Sequence, residues 1–79
     1  MSWIRSRDAD ILTVDRYTFV GDERFEPHYS SDHETWSLVI KYVQERDQGL
    51  YECQVSTEPK MSQIFQLRVV SEYSQILTS

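Results

Sequence analysis

Along most of the chain, apolar and polar residues alternate with a period of two, the spacing of a half-buried strand rather than a helix. Trp36, Leu38, Ile40 and Tyr42 alternate with Ser37, Val39, Lys41 and Val43. Tyr51, Cys53 and Val55 share one side of a second run, against Glu52, Gln54 and Ser56, and Phe65, Leu67 and Val69 share one side of a third, against Ile64, Gln66 and Arg68. Shorter β-branched or aromatic runs at 2–6, 11–14 and 17–20 are separated by Arg-Asp-Ala-Asp and Asp-Arg, where Asp residues at turns bond their own backbone. Residues 25–29 form a weaker strand, and Pro27 places it at a sheet edge because proline cannot donate to a ladder. The stretch 57–61, with Pro59, reads as a hairpin loop. No helix, repeat or low-complexity tract is predicted.

Composition narrows the function. At 79 residues with 39% hydrophobic and 13% aromatic content, the chain is a folding sequence of one small domain at most. A net charge of -5, with eight scattered Lys and Arg, opposes a sequence-independent grip on nucleic acid. No apolar run reaches the eighteen or so residues of a membrane span, and the N-terminus lacks a signal-peptide apolar stretch. There is no Asn, so no N-glycosylation acceptor. Catalytic chemistry finds no purchase. His28 and His33 sit on a predicted loop without a full ligand set, Asp8, Asp10, Asp15, Asp22 and Glu23 fall at turns, and no nucleophile elbow frames any Ser. No catalytic residue, metal site, cofactor or small-molecule substrate is implied, and Trp36 is read as a core residue.

The most specific pattern is Asp47-x-Gly49-x-Tyr51-x-Cys53. A Tyr two residues before a strand Cys is the tyrosine corner of immunoglobulin sandwiches, its hydroxyl bonding back to upstream backbone. Gly49 relaxes the backbone there. Arg24 and Asp47 stand where variable-type domains place an ion pair, and Trp3, fifty residues before Cys53, matches the core Trp of strand C. The expected fold is therefore all-β, an incomplete V-type sandwich: C around Trp3, C′ at 11–14, C″ at 17–20, D at 25–29, E at 36–43, F at 50–56 and G at 63–70. Trp3, Leu12, Tyr51, Cys53, Phe65 and Leu67 are expected to face the core.

Within that class the chain resembles one family closely, the defective proboscis extension response (Dpr) proteins of insects. The resemblance rests on Ser2-Trp3-Ile4-Arg5-x-Arg7-Asp8, Ile11-Leu12-Thr13-Val14, Asp22-x-Arg24-Phe25, Trp36-x-Leu38-x-Ile40-Lys41 and, above all, the run Tyr51-Glu52-Cys53-Gln54-Val55-Ser56-Thr57-Glu58-Pro59-Lys60-Met61-Ser62. It implies a neuronal cell-surface recognition module, with plasma-membrane location in the full-length parent, that binds Dpr-interacting immunoglobulin proteins through its GFCC′C″ face in synapse organisation. Residues 1–70 would be a partial first domain and 71–79 a linker toward a second. Alternation selects Ile4, Ser6, Ile11, Thr13, Glu52, Gln54, Ser56, Ile64 and Gln66 as the outward, partner-binding side. A homodimer is the other pairing such a face allows. Trp3, Arg24, Asp47, Gly49, Tyr51 and Cys53 are the structural residues.

The resemblance also implies strands A and B, with a strand B Cys that pairs with the position of Cys53; the run here begins at strand C. Any membrane attachment belongs to segments outside this sequence. The competing reading is a truncated, non-functional structural fragment of such a receptor. A missing disulfide costs a small domain about 2 to 5 kcal/mol, and lost strand B burial adds to it. The chain alone is thus expected to be marginally stable and prone to aggregate, with a broad melt by circular dichroism. A sharp, cooperative melt with a dispersed amide NMR spectrum would contradict this.

Overall fold

Short polar segments reverse the chain wherever the alternation stops. Ala9, Asp15 and Glu34 adopt positive φ at three of these reversals. At the first, the Asp8 carboxylate accepts from Asp10 N–H at 3.2 Å and pairs with Arg5 at 3.1 Å, a turn stabilised by its own side chain. The computed structural model describes residues 1–69 and 75–78. Its strands are β1 (Ser2–Arg5), β2 (Asp10–Val14), β3 (Tyr17–Thr18), β4 (Phe25–Ser30), β5 (Thr35–Ile40), β6 (Gly49–Val55), β7 (Met61–Leu67) and β8 (Gln75–Thr78). They form two antiparallel sheets, a five-stranded one in the order β3-β2-β1-β6-β7 and a three-stranded one in the order β4-β5-β8. The all-β sandwich is as expected, and strands C to G appear in chain order as β1 to β7.

The core lies between the sheets. Trp3, Leu12, Phe25, Leu38, Ile40, Val43, Tyr51, Cys53 and Leu67 are buried, and Phe65 packs against them with its ring 5.4 Å from that of Trp3. Trp3 Nε1 is buried without a hydrogen-bond partner among the described residues. Tyr29 and Trp36 pair directly across β4 and β5 with ring centroids 4.8 Å apart and planes tilted by 45°, and Trp36 is half-buried rather than central. The three-stranded sheet covers the five-stranded one incompletely. Where β6 and β7 pair, Cys53, Val55, Met61, Ser62 and Gln63 line an open cleft of about 260 Å³.

Three expectations are corrected. Strand E ends at Ile40, not Val43: Tyr42 takes a positive φ of 48° and swings out to 75% exposure, while Val43 turns into the core. Arg24 sets this reversal, since its guanidinium donates to the Lys41 and Tyr42 carbonyls and its own carbonyl accepts from Lys41 N–H. Thr13, expected outward, is fully buried. The pairing of β1 with β2 shifts between Trp3 and Ile4, so Trp3 opposes Thr13 but Ile4 opposes Ile11. The extra residue, Leu12, makes a bulge that turns Thr13 inward, where its hydroxyl accepts from Trp3 N–H at 3.3 Å. Strand G is observed at Met61–Leu67, and Val70 lies outside the described residues.

The third correction concerns the tail read as a linker. Residues 71–74 and 79 lie outside the described residues, but Gln75–Thr78 form β8, antiparallel to β5. The physical cause is an edge. Without a neighbour, β5 would expose a row of unpaired N–H and C=O groups. β8 satisfies them and sets Leu77 opposite the buried Leu38, packed on the core, while Ile76 and Thr78 face outward and Thr78 Oγ1 meets Ser37 Oγ at 3.1 Å. If this strand closes the sheet in solution, Leu77→Ala should lower stability by about 1 to 2 kcal/mol for a half-buried Leu, whereas Ile76→Ala should change it by less than about 0.5 kcal/mol. Urea unfolding midpoints of the two variants check this; equal midpoints would show that β8 contributes nothing.

Candidate recognition face

The five-stranded sheet is held in place at one corner by a hydrogen-bonded cluster. Gly49 opens β6 with φ of 139°, a conformation that an L side chain rarely adopts. This start lets the Tyr51 hydroxyl reach back and donate to the Asp47 carbonyl at 2.6 Å, the tyrosine corner anticipated from the motif. The Asp47 carboxylate accepts from both terminal nitrogens of Arg24, at 2.8 and 3.1 Å, and from Gln44 N–H at 2.7 Å. Arg24 is also bound by Asp22 at 3.2 Å and lies over the Phe25 ring at 5.2 Å.

Because the Asp47 side chain is only 1% exposed, this pair is more than surface geometry. Burial pushes the Asp47 carboxyl up, but the hydrogen bonds from Arg24 and Gln44 outweigh burial and hold it below the ordinary carboxylate range. The Tyr51 phenol is pushed up, chiefly by burial.

Register then fixes what the outer side of the sheet presents, because directly opposed residues point the same way. One row runs Ile11, Ile4, Glu52, Ile64 across β2, β1, β6 and β7. A second runs Tyr17, Val14, Ser2, Gln54, Ser62. Beyond the first row, Leu50 opposes Gln66 and its carbonyl accepts from Ser6 N–H at 2.9 Å. Ile11, Ile64, Leu50 and Tyr17 are exposed, Ile4 and Glu52 half-buried, and Gln54 Nε2 donates to Glu52 Oε1 at 2.9 Å.

Of the nine candidate residues, Ile4, Ser6, Ile11, Glu52, Gln54, Ser56, Ile64 and Gln66 thus fall on this side or at its ends, and Thr13 does not. Val14, Tyr17 and Leu50 join the face without having been named. The alternation that turns Tyr51 inward already sets Leu50 outward; Val14 and Tyr17 depend on the bulge in β2, which leaves no local signature.

With the geometry in place, comparison with known proteins is informative. The chain superposes on Dpr11 Ig1, solved bound to DIP-gamma, with a TM-score of 0.82 and 61% identity, covering 87% of this chain and 72% of that one. The chain belongs to the Dpr family. A Dpr2 Ig1-Ig2 structure in complex with DIP-Theta matches at 52% identity and a TM-score of 0.81, covering 87% of this chain and 32% of that one. Dpr1 Ig1 bound to DIP-eta matches at 48% identity and 0.80, covering 89% and 66%. Among curated proteins, Lachesin of Schistocerca americana is 38% identical over 53 residues, so this Dpr-family chain matches 15% of that protein's length, with 65% of its own. No protein-family model matches the chain.

The Arg24–Asp47 pair makes a pH prediction for this Dpr-family chain. A carboxylate whose folded pKa is depressed contributes stability that is present above its unfolded pKa, about 3.9, and is lost as pH falls through the folded value. Asp47→Asn should therefore be less stable than the parent at pH 7, with the gap closing below about pH 4. Denaturant midpoints measured from pH 7 down to 3 check this, and a gap constant with pH would contradict the assigned role.

Proposed function

We propose that this chain is a recognition module whose five-stranded face docks onto an immunoglobulin domain of the DIP class. The observation that carries the reading is the register-aligned row Ile11, Ile4, Glu52 and Ile64, apolar at three of its four positions, with Ser2, Gln54, Ser62 and Gln66 around it. An apolar centre with a polar rim is the anatomy of a protein interface. The 61% identity to a Dpr domain solved bound to DIP-gamma supports this occupant over an unrelated one. In the full-length parent the module would act at the plasma membrane of neurons, where pairing of such domains helps to organise synapses.

Binding energy at such faces concentrates in a few central side chains. Placing a carboxylate in the apolar row should therefore weaken binding far more than trimming the rim. Against the DIP-gamma immunoglobulin domains, Ile11→Asp and Ile64→Asp should each lose about 100-fold or more in affinity, and Gln54→Ala about five- to tenfold. Ile76→Asp, on the opposite sheet, should bind as the parent does. Surface plasmon resonance of the four variants decides the matter; unchanged affinity for the two isoleucine variants would remove this face from consideration.

A further inference from the structure

The outer face carries one charge where an apolar side chain would be expected. Across the two rows and the Ser6, Leu50 and Gln66 positions, Glu52 is the sole carboxylate, and no Lys or Arg is present. It is not marginal. Glu52 stands directly between Ile4 and Ile64, one strand from β1, the middle strand of the sheet.

A carboxylate offers roughly four acceptor positions. Among the described residues, Glu52 accepts a hydrogen bond from a neutral amide, Gln54 Nε2 at 2.9 Å. The rest of its capacity is open to solvent in the uncovered face. Any partner that covers the isoleucine row strips that water away, and a carboxylate left dry without a donor opposes binding strongly.

We propose that Glu52 is the specificity-determining residue of the face: it selects a partner domain that brings a Lys, an Arg or a set of N–H donors to the centre, and it disfavours a second copy of this chain. The inference rests on the docking reading above. Two identical copies meeting through this face would form an isologous contact, in which residues near the two-fold axis meet themselves. With strands spaced about 4.8 Å apart, two Glu52 carboxylates near that axis would lie on the order of 10 Å from each other, both losing water and neither gaining a cation. A DIP domain with a cation at that place suffers no such penalty. The same side chain thus favours the heterologous pair and opposes the self-pair, a use of like charge to reject a competing partner.

The test uses the full 79-residue chain in four forms: parent, Glu52→Gln, Glu52→Leu and Ile11→Asp, each checked for parent-like far-ultraviolet dichroism. Affinity for the DIP-gamma immunoglobulin domains is measured between about 50 and 300 mM salt, and self-association by analytical ultracentrifugation. Glu52→Gln should bind at least about tenfold more weakly, with a shallower salt dependence because a charge pair has been removed. Glu52→Leu should self-associate at concentrations at least about tenfold lower than the parent. Parent-like affinity and salt dependence for Glu52→Gln, while Ile11→Asp abolishes binding, would overturn the inference and leave the docking face standing. A Glu52→Leu chain that stays as monomeric as the parent would overturn the rejection of self-pairing. If Ile11→Asp also binds like the parent, the docking reading itself fails.

Discussion

The antiparallel registration of β1 on β6 is the constraint from which the rest follows. Trp3 opposite Cys53 puts the largest side chain of the core beside the middle of strand F, and by the same alternation Ile4 opposite Glu52 goes to the outside. A slip by one residue would set Trp3 opposite Glu52 or Gln54, so that either the Trp is exposed or a polar side chain is buried with it. Both strands therefore have their register fixed by burial on one side, and the outer surface inherits its order from the core behind it. The corner at Gly49, Tyr51, Asp47 and Arg24 anchors β6 at its start, and Arg24 ties that start to the turn after β5.

Much of this was legible from local pattern. The three strong alternating runs became β5, β6 and β7, and the spacing Asp47-x-Gly49-x-Tyr51-x-Cys53 named a corner that is present atom by atom. Such features depend on neighbours in sequence, so sequence reveals them. What escaped depends on contacts between distant segments. Thr13 is buried because β1 and β2 pair with an extra residue at Leu12, and nothing in Ile-Leu-Thr-Val marks it. Tyr42 leaves the alternation because Arg24, 18 residues earlier, binds its carbonyl. β8 exists because β5 has an edge to fill, a property of the assembled sheet rather than of Gln-Ile-Leu-Thr itself.

The two sheets contribute differently. The five-stranded sheet supplies Trp3, Leu12, Tyr51, Cys53 and Leu67 to the core from its inner side. The three-stranded sheet is chiefly a cover, and it is narrower: near Cys53 a cleft remains open where β6 and β7 pair. Its closing strand has four residues and one inward leucine on the core, so the cover is held by modest burial. The outer rows of the five-stranded sheet are made by the pairing of β1, β2, β6 and β7, and the three-stranded cover contributes no residue to them.

The bulge in β2 also changes how that strand divides its residues between the two sides of the sheet. In a regular strand, neighbouring outward side chains are two residues apart, about 6.6 Å. Here the outward pair is Ile11 and Val14, three residues apart in sequence, yet they oppose Ile4 and Ser2, which are two apart on β1, so the extra residue is taken up as a local bend with Leu12 and Thr13 both turned to the core. The outward pair therefore keeps about the ordinary two-residue spacing while the backbone beneath it bends. One inserted residue thus gives the core two consecutive side chains from β2 without widening the interval between the side chains on the other side.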